Sequence, residues 1–201
     1  MPTVMWQLFL VYLFQWYAMM CYWQNNSKSI ALSVWNVTPK NVMGYEKAVE
    51  WNGLIGAFGF IVTFSIAFYL AKLAKKHGAK MIHFACLLLG ATSFLWFPTV
   101  QNQYVFFAVI IGYGIAWASM MGIPYLMVVA VVPKERYGVY MGIINMMIVI
   151  PMIIQNLSFG YILKNFLDND PRQAIRFAGV LLVLAAICTL LIKIKNTKVS
   201  E

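Results

Sequence analysis

The 201-residue chain is 62% hydrophobic and only 10% charged, with a positive mean hydropathy. Soluble domains average about 45–50% apolar and about 25% charged residues, so composition excludes a water-soluble globular protein and indicates an integral, multi-pass membrane protein. A formal net charge of +9 would suggest nucleic acid in a soluble chain; here the charges fall between apolar runs and report topology, and no nucleic-acid partner is expected.

About 20 apolar residues cross a bilayer, and six runs meet that length: Val4–Trp23, Ala48–Leu70, Met81–Val100, Tyr104–Val132, Tyr137–Leu163 and Ala174–Ile194. Between them lie a long connector, Gln24–Lys47, then Ala71–Lys80, the very short Gln101–Gln103, Pro133–Arg136 and Lys164–Gln173. The predicted fold class is all-α, with six transmembrane helices and an antiparallel hairpin of spans three and four. One side carries Lys72, Lys75, Lys76, Lys80, Lys134, Arg136, Lys193, Lys195 and Lys198; the other carries Lys28, Lys40, Lys47, Lys164, Arg172 and Arg176. Nine basic residues against six predict that the richer side is cytoplasmic, with both termini inside. Met1-Pro2 leads directly into the first span without a basic leader or small-residue cleavage site, so no signal peptide is expected.

Span one presents Tyr12, Gln15, Trp16, Met19 and Tyr22 across one broad face. Flat sugar C–H faces stack on such rings while hydroxyls bond to amides. An interfacial belt suits Tyr22 and Trp23 near the span's end, but not Gln15 and Trp16 near its middle. Span two opens with Trp51-Asn52 and has Gly53, Gly56 and Gly59 at spacing three. Span four carries Gly114, Ala118 and Gly122 in i, i+4 steps, with Tyr113, Trp117 and Tyr125, and Pro124 interrupts it. Packing is the expected role of these glycines.

Span five reads YGVYMGIINMMIVIPMIIQN from Tyr137 to Asn156. Gly138 and Gly142 form a small-xxx-small step that admits a close helix neighbour. Gly138, Gly142, Asn145 and Asn156 share one side, where an amide must face protein or water rather than lipid. Pro151 removes a backbone donor and predicts a bend. Asn145 is either interhelical glue or a substrate-facing group, and the residues leave both open.

No Asp or Glu lies inside a span, Glu50 standing at the entrance of span two. His77 sits in a basic loop and His83 is solitary. Nucleophile-elbow, zinc-protease and P-loop patterns are missing from the sequence. Cys21, Cys86 and Cys188 have no metal-ligand spacing and read as apolar filler. The sequence therefore predicts no catalytic residues, no metal and no cofactor.

The loop AKLAKKHGAK between spans two and three resembles the basic, Gly-containing loop of the major facilitator superfamily, without that motif's Asp. The run GIAWASMMGIPYLMVVAVVPKERYGVYMGIINMMIVIP, ending at Pro151, resembles the fourth-to-fifth span region in the C-terminal half of the sucrose/maltose-type (glycoside–pentoside–hexuronide-like) sugar–proton symporters. MPTVMWQLFLVYLFQWYAMMCYWQ resembles the first helix of that half. Those transporters often carry Pro-Gln after the Ile-Val-Ile run, whereas here Met152 follows Pro151 and the amide comes at Gln155.

The resemblance implies that residues 1–201 form the C-terminal six-span half of a twelve-helix, alternating-access symporter, with coupling carboxylates mostly in the other half. On that reading Gln15, Trp16, Asn52, Trp117, Asn145 and Gln155 face the cavity, while Pro124, Gly138, Gly142 and Pro151 serve bending and packing. The implied partners are the lipid bilayer, a sugar, a coupling proton or other cation, and an N-terminal six-helix half or a second copy. The implied location is a bacterial inner membrane. The competing reading is a six-span scaffold, or a gene remnant without transport.

Overall fold

The computed structural model describes residues 2–193 and folds them as six long helices: α1 (Thr3–Val34), α2 (Val42–His77), α3 (Ala79–Trp96), α4 (Phe106–Val129), α5 (Tyr137–Phe166) and α6 (Pro171–Leu190). All six are long and apolar enough to cross a membrane. Lys195, Lys198 and the last residue of the sixth predicted span lie outside the described residues.

The largest departures from the hydropathy reading fall in two connectors. The long connector expected over Gln24–Lys47 is mostly helix, because α1 runs on to Val34 and α2 begins already at Val42. Asn25, Ser29, Ile30 and Ala31 are buried there, and Asn25 Nδ2 donates to the Cys21 carbonyl at 2.9 Å. Polar side chains lower the local hydropathy, while burial on one face keeps the helix. Likewise α2 absorbs most of Ala71–Lys80, and the turn into α3 is made at Gly78, whose φ of 89° is a left-handed-side conformation suited to glycine.

Local chemistry sets the remaining ends. The Asn41 side chain accepts from the Gly44 N–H at 3.2 Å and caps α2. Phe97–Thr99, containing Pro98, closes α3 as a short 3₁₀ turn. Asp168 and Asn169 take positive φ in the α5–α6 turn, and Asp170 caps α6 ahead of Pro171. The start of α1 and the end of α6 share one end of the bundle, where the Lys193 N–H donates to Gln7 Oε1 at 3.0 Å.

The packing has an internal symmetry. α1 packs mainly on α6 and α5, α4 packs mainly on α3 and α2, and α3 packs on α6. Exchanging α1 with α4, α2 with α5 and α3 with α6 maps this pattern onto itself, the signature of two three-helix repeats. α2 and α5 are peripheral: the membrane window of each is 17% buried, against 50% or more in the other four.

Close contact in lipid depends on small residues and van der Waals fit. A Cβ on Gly114 would stand 2.8 Å from the Gly59 carbonyl oxygen, so α2 and α4 touch backbone to backbone there. Thr63 Oγ1 bonds both the Gly59 and Gly114 carbonyls, at 3.0 and 2.9 Å, and fixes the crossing. At the α3–α4 seam, Gly112 leaves room for Ser93, whose hydroxyl donates to the Val109 carbonyl at 2.6 Å. The other expected close steps are not made in this chain. Nothing lies within 4 Å of a Cβ built on Gly53, Gly56, Gly122, Gly138 or Gly142. Spacing places small residues on one face, but the topology turns the Gly138–Gly142 face of α5 outward.

Candidate functional site

α1 and α4 bring an aromatic cluster together. Trp16 meets Trp117 edge to face at a centroid distance of 5.8 Å, and Trp23 meets Trp16 at 6.4 Å and Trp117 at 5.5 Å. Tyr113 stacks on Trp117 at 6.2 Å, and its hydroxyl accepts from Trp23 Nε1 at 3.4 Å. Trp16 and Trp23 share a face of α1 because they stand seven residues apart, two helical turns. Trp117 and Tyr113 are one turn apart on α4. The cluster is graded in exposure: Trp16 is buried, Trp117 is half-buried and Trp23 is exposed.

On the same stretch of α1 lies a set of polar atoms without partners. Tyr12 Oη, both amide atoms of Gln15 and Trp16 Nε1 are buried and accept or donate no hydrogen bond within the chain. Unmet buried polar groups cost about 1–3 kcal/mol each. Four such atoms within five residues of one helix mark a stretch whose polar groups are unmet in the chain as it is packed here.

Amides extend the polar surface. Gln155 Nε2 donates to Gln24 Oε1 at 3.0 Å, and Gln24 Nε2 donates to Asn156 Oδ1 at 2.9 Å, joining α1 to α5. Buried Gln155 also approaches Cys21 Sγ at 3.7 Å. On the exposed face of α5, Asn145 Oδ1 accepts from the Tyr125 hydroxyl at 3.3 Å, linking α5 to α4. A cavity of about 270 Å³ adjoins the aromatic cluster and is lined by Trp23, Asn26, Asn52, Gly56 and Tyr113 among others.

Of the residues expected to face a cavity, Trp16 and Trp117 thus meet directly. Asn52 lines the cavity shared with Trp23 and Tyr113, Gln155 joins the α1–α5 amide cluster, and Asn145 stands apart with Tyr125. Gln15 is fully buried and does not line the Asn52 cavity. Pro124 and Pro151 are both buried within continuous helices, α4 and α5. Lacking an amide hydrogen, each leaves the carbonyl four residues earlier, at Met120 and Met147, without its helical donor.

Gln24, Asn26 and Trp23 were not expected at a site. A span ending at Trp23 hid Gln24 and Asn26, and Trp23 itself read as an interfacial ring, although the continued burial pattern Cys21, Tyr22, Asn25, Ser29 is helical.

His83 is not solitary: its Nδ1 lies 2.8 Å from Ser119 Oγ, in a fully buried contact between α3 and α4. The pair has no acid against Nε2, which is without a partner. Among the described residues no group of His, Cys, Asp or Glu is arranged to hold a metal ion. No Asp or Glu falls in α1, α3, α4, α5 or α6, and those of α2, Glu46 and Glu50, are exposed in its first turns.

Six apolar helices, paired by small residues and carrying aromatic and amide clusters on α1, α4 and α5, define a multi-pass α-helical membrane protein. A sequence profile of the Major Facilitator Superfamily matches residues 1–156, and the chain belongs to that superfamily of membrane transporters. No curated protein and no solved structure matches the chain.

Proposed function

We propose that the chain is the C-terminal six-helix half of a sugar:cation symporter, supplying one wall of an alternating-access pathway. The observation that carries this reading is the juxtaposition on α1 of unpartnered Tyr12, Gln15 and Trp16 polar atoms with the Trp16–Trp23–Trp117 cluster. A disaccharide presents apolar C–H faces for ring contact and hydroxyls that both donate and accept. Gln15 offers one acceptor and two donors, the complement of those hydroxyls.

The described spans other than α2 contain no carboxylate, so the coupling acid belongs to the partner unit. The peripheral, apolar outer faces of α2 and α5 are where that unit fits, and the outward Gly138–Gly142 step admits its close approach. The basic end of the bundle faces the cytoplasm of a bacterial inner membrane, which places the start of α1 and the end of α6 inside.

The binding step is tested by intrinsic tryptophan fluorescence. The chain is assembled with a six-helix N-terminal half and titrated with sucrose and with maltose. A saturable change with one of them is expected, and it is lost in Trp117→Phe and weakened in Gln15→Ala. Equal response of the wild type and both variants, or no response to any disaccharide, contradicts the reading.

A further inference from the structure

We propose a site for an anionic phospholipid at the basic end of the bundle, separate from the aromatic cluster. A cavity of about 750 Å³ opens where α3 begins and α4 and α6 end, lined among others by Lys80, Met81, Leu126, Met127, Ala130 and Lys193. Its chemistry is divided. Lys80 and Lys193 are among the lining residues, and most of the others are apolar. Met81 and Leu126 are 49% and 41% exposed, so the apolar wall is continuous with the outer surface of the bundle.

Lys80 Nζ donates to the Leu190 and Ile192 carbonyls, each at 3.2 Å. An ammonium has three donors, so Lys80 neutralises the end of α6 and keeps one donor for a phosphate oxygen. Lys193 is exposed beside it and supplies the second positive charge.

Charge complementarity selects the occupant. The described charges at this end are Lys72, Lys75, Lys76, Lys80, Lys134, Arg136 and Lys193 against a single acid, Glu135. At the other end Glu46, Glu50, Asp168 and Asp170 offset the basic residues. A ligand with a phosphate monoanion and a long apolar chain fits both parts of the cavity, and the bilayer holds such molecules beside it. Juxtamembrane basic side chains attract anionic lipid by about 1 kcal/mol each, equivalent to about fivefold in occupancy.

The test is native mass spectrometry of the whole protein released from micelles holding equal amounts of phosphatidylglycerol and phosphatidylcholine. Retention of phosphatidylglycerol over phosphatidylcholine is expected. Lys193→Gln lowers that preference about fivefold, and Lys80→Gln does the same if it folds. Ala130→Phe, which intrudes on the cavity without changing charge, lowers retention and keeps the test independent of the Lys80 contact to α6. Lys72→Gln with Lys75→Gln removes twice the charge of either single variant, outside the cavity, and leaves the preference intact. The proposal is overturned by equal retention of the two lipids, or by the same loss in the Lys72 and Lys75 control. Retention unchanged by Ala130→Phe, or displacement of the lipid by millimolar inorganic phosphate, overturns it as well.

Discussion

Asn145 lies on the exposed face of α5 with the Tyr125 hydroxyl as its partner at 3.3 Å. A bond that long, on an exposed face, contributes little to folding, and intramembrane hydrogen bonds average about 0.6 kcal/mol. Asn145→Ala is therefore expected to lower sugar uptake per folded molecule in the two-half assembly while thermal stability changes by no more than that amount. Both are measured on one preparation; a stability loss with normal uptake per folded protein makes Asn145 glue. Gln15 differs because its amide is buried and unpaired. Gln15→Leu removes the unmet polar atoms and is expected to hold or raise the melting temperature while abolishing binding. A large loss of stability contradicts that account. Asp170 gives a pH signature. Burial alone raises its carboxyl, but hydrogen bonds from the Arg172 side chain and N–H, with the Arg172 and Arg176 charges, hold it below the ordinary carboxylate range. A lowered folded-state value stabilises above the unfolded value and is lost as pH falls through the folded one. Asp170→Asn should therefore flatten the acid limb of the stability profile, measured by thermal unfolding from pH 7 downward. The types of these residues were legible in the sequence, but not their states: spacing placed Gln15 and Trp16 mid-span without showing that one is sealed and the other joins Trp117.

At the scale of the helix, hydropathy located all six elements and misplaced their ends where polar residues continued the helix. Asn25 and Ser29 carry α1 a full three turns past Trp23, and the basic residues Lys72, Lys75 and Lys76 extend α2 to Gly78. Glycine spacing was an ambiguous signal for a physical reason. It states that close approach is possible, while topology decides whether a neighbour is present. Gly114 meets the Gly59 carbonyl and Gly122 meets nothing. Gly114→Ala is accordingly expected to destabilise the protein by about 1–3 kcal/mol through overpacking, whereas Gly122→Ala is expected to be neutral or slightly stabilising through helix propensity. Thermal unfolding of the two variants in the same detergent compares them directly; equal melting temperatures contradict the assigned α2–α4 seam.

At the scale of the molecule, the helix order puts Lys76 and Asp168 at opposite ends of the bundle. In a cysteine-free background, single cysteines at these positions are expected to label from opposite sides of intact cells, with position 76 protected. Same-side labelling contradicts the topology. The three-helix exchange symmetry and the bare flanks of α2 and α5 were not readable from composition or spacing, since they depend on which helices pair. On the proposed function they belong to one wall of a pathway, and a single wall encloses nothing. The most direct measurement is uptake of labelled sucrose and maltose into vesicles under an imposed pH gradient, with the chain alone and with a six-helix N-terminal half of the same superfamily. The account predicts saturable, gradient-driven uptake of one disaccharide only when both halves are present, abolished by Gln15→Leu; saturable uptake by the lone chain, or none of either sugar by a folded two-half assembly, would contradict it.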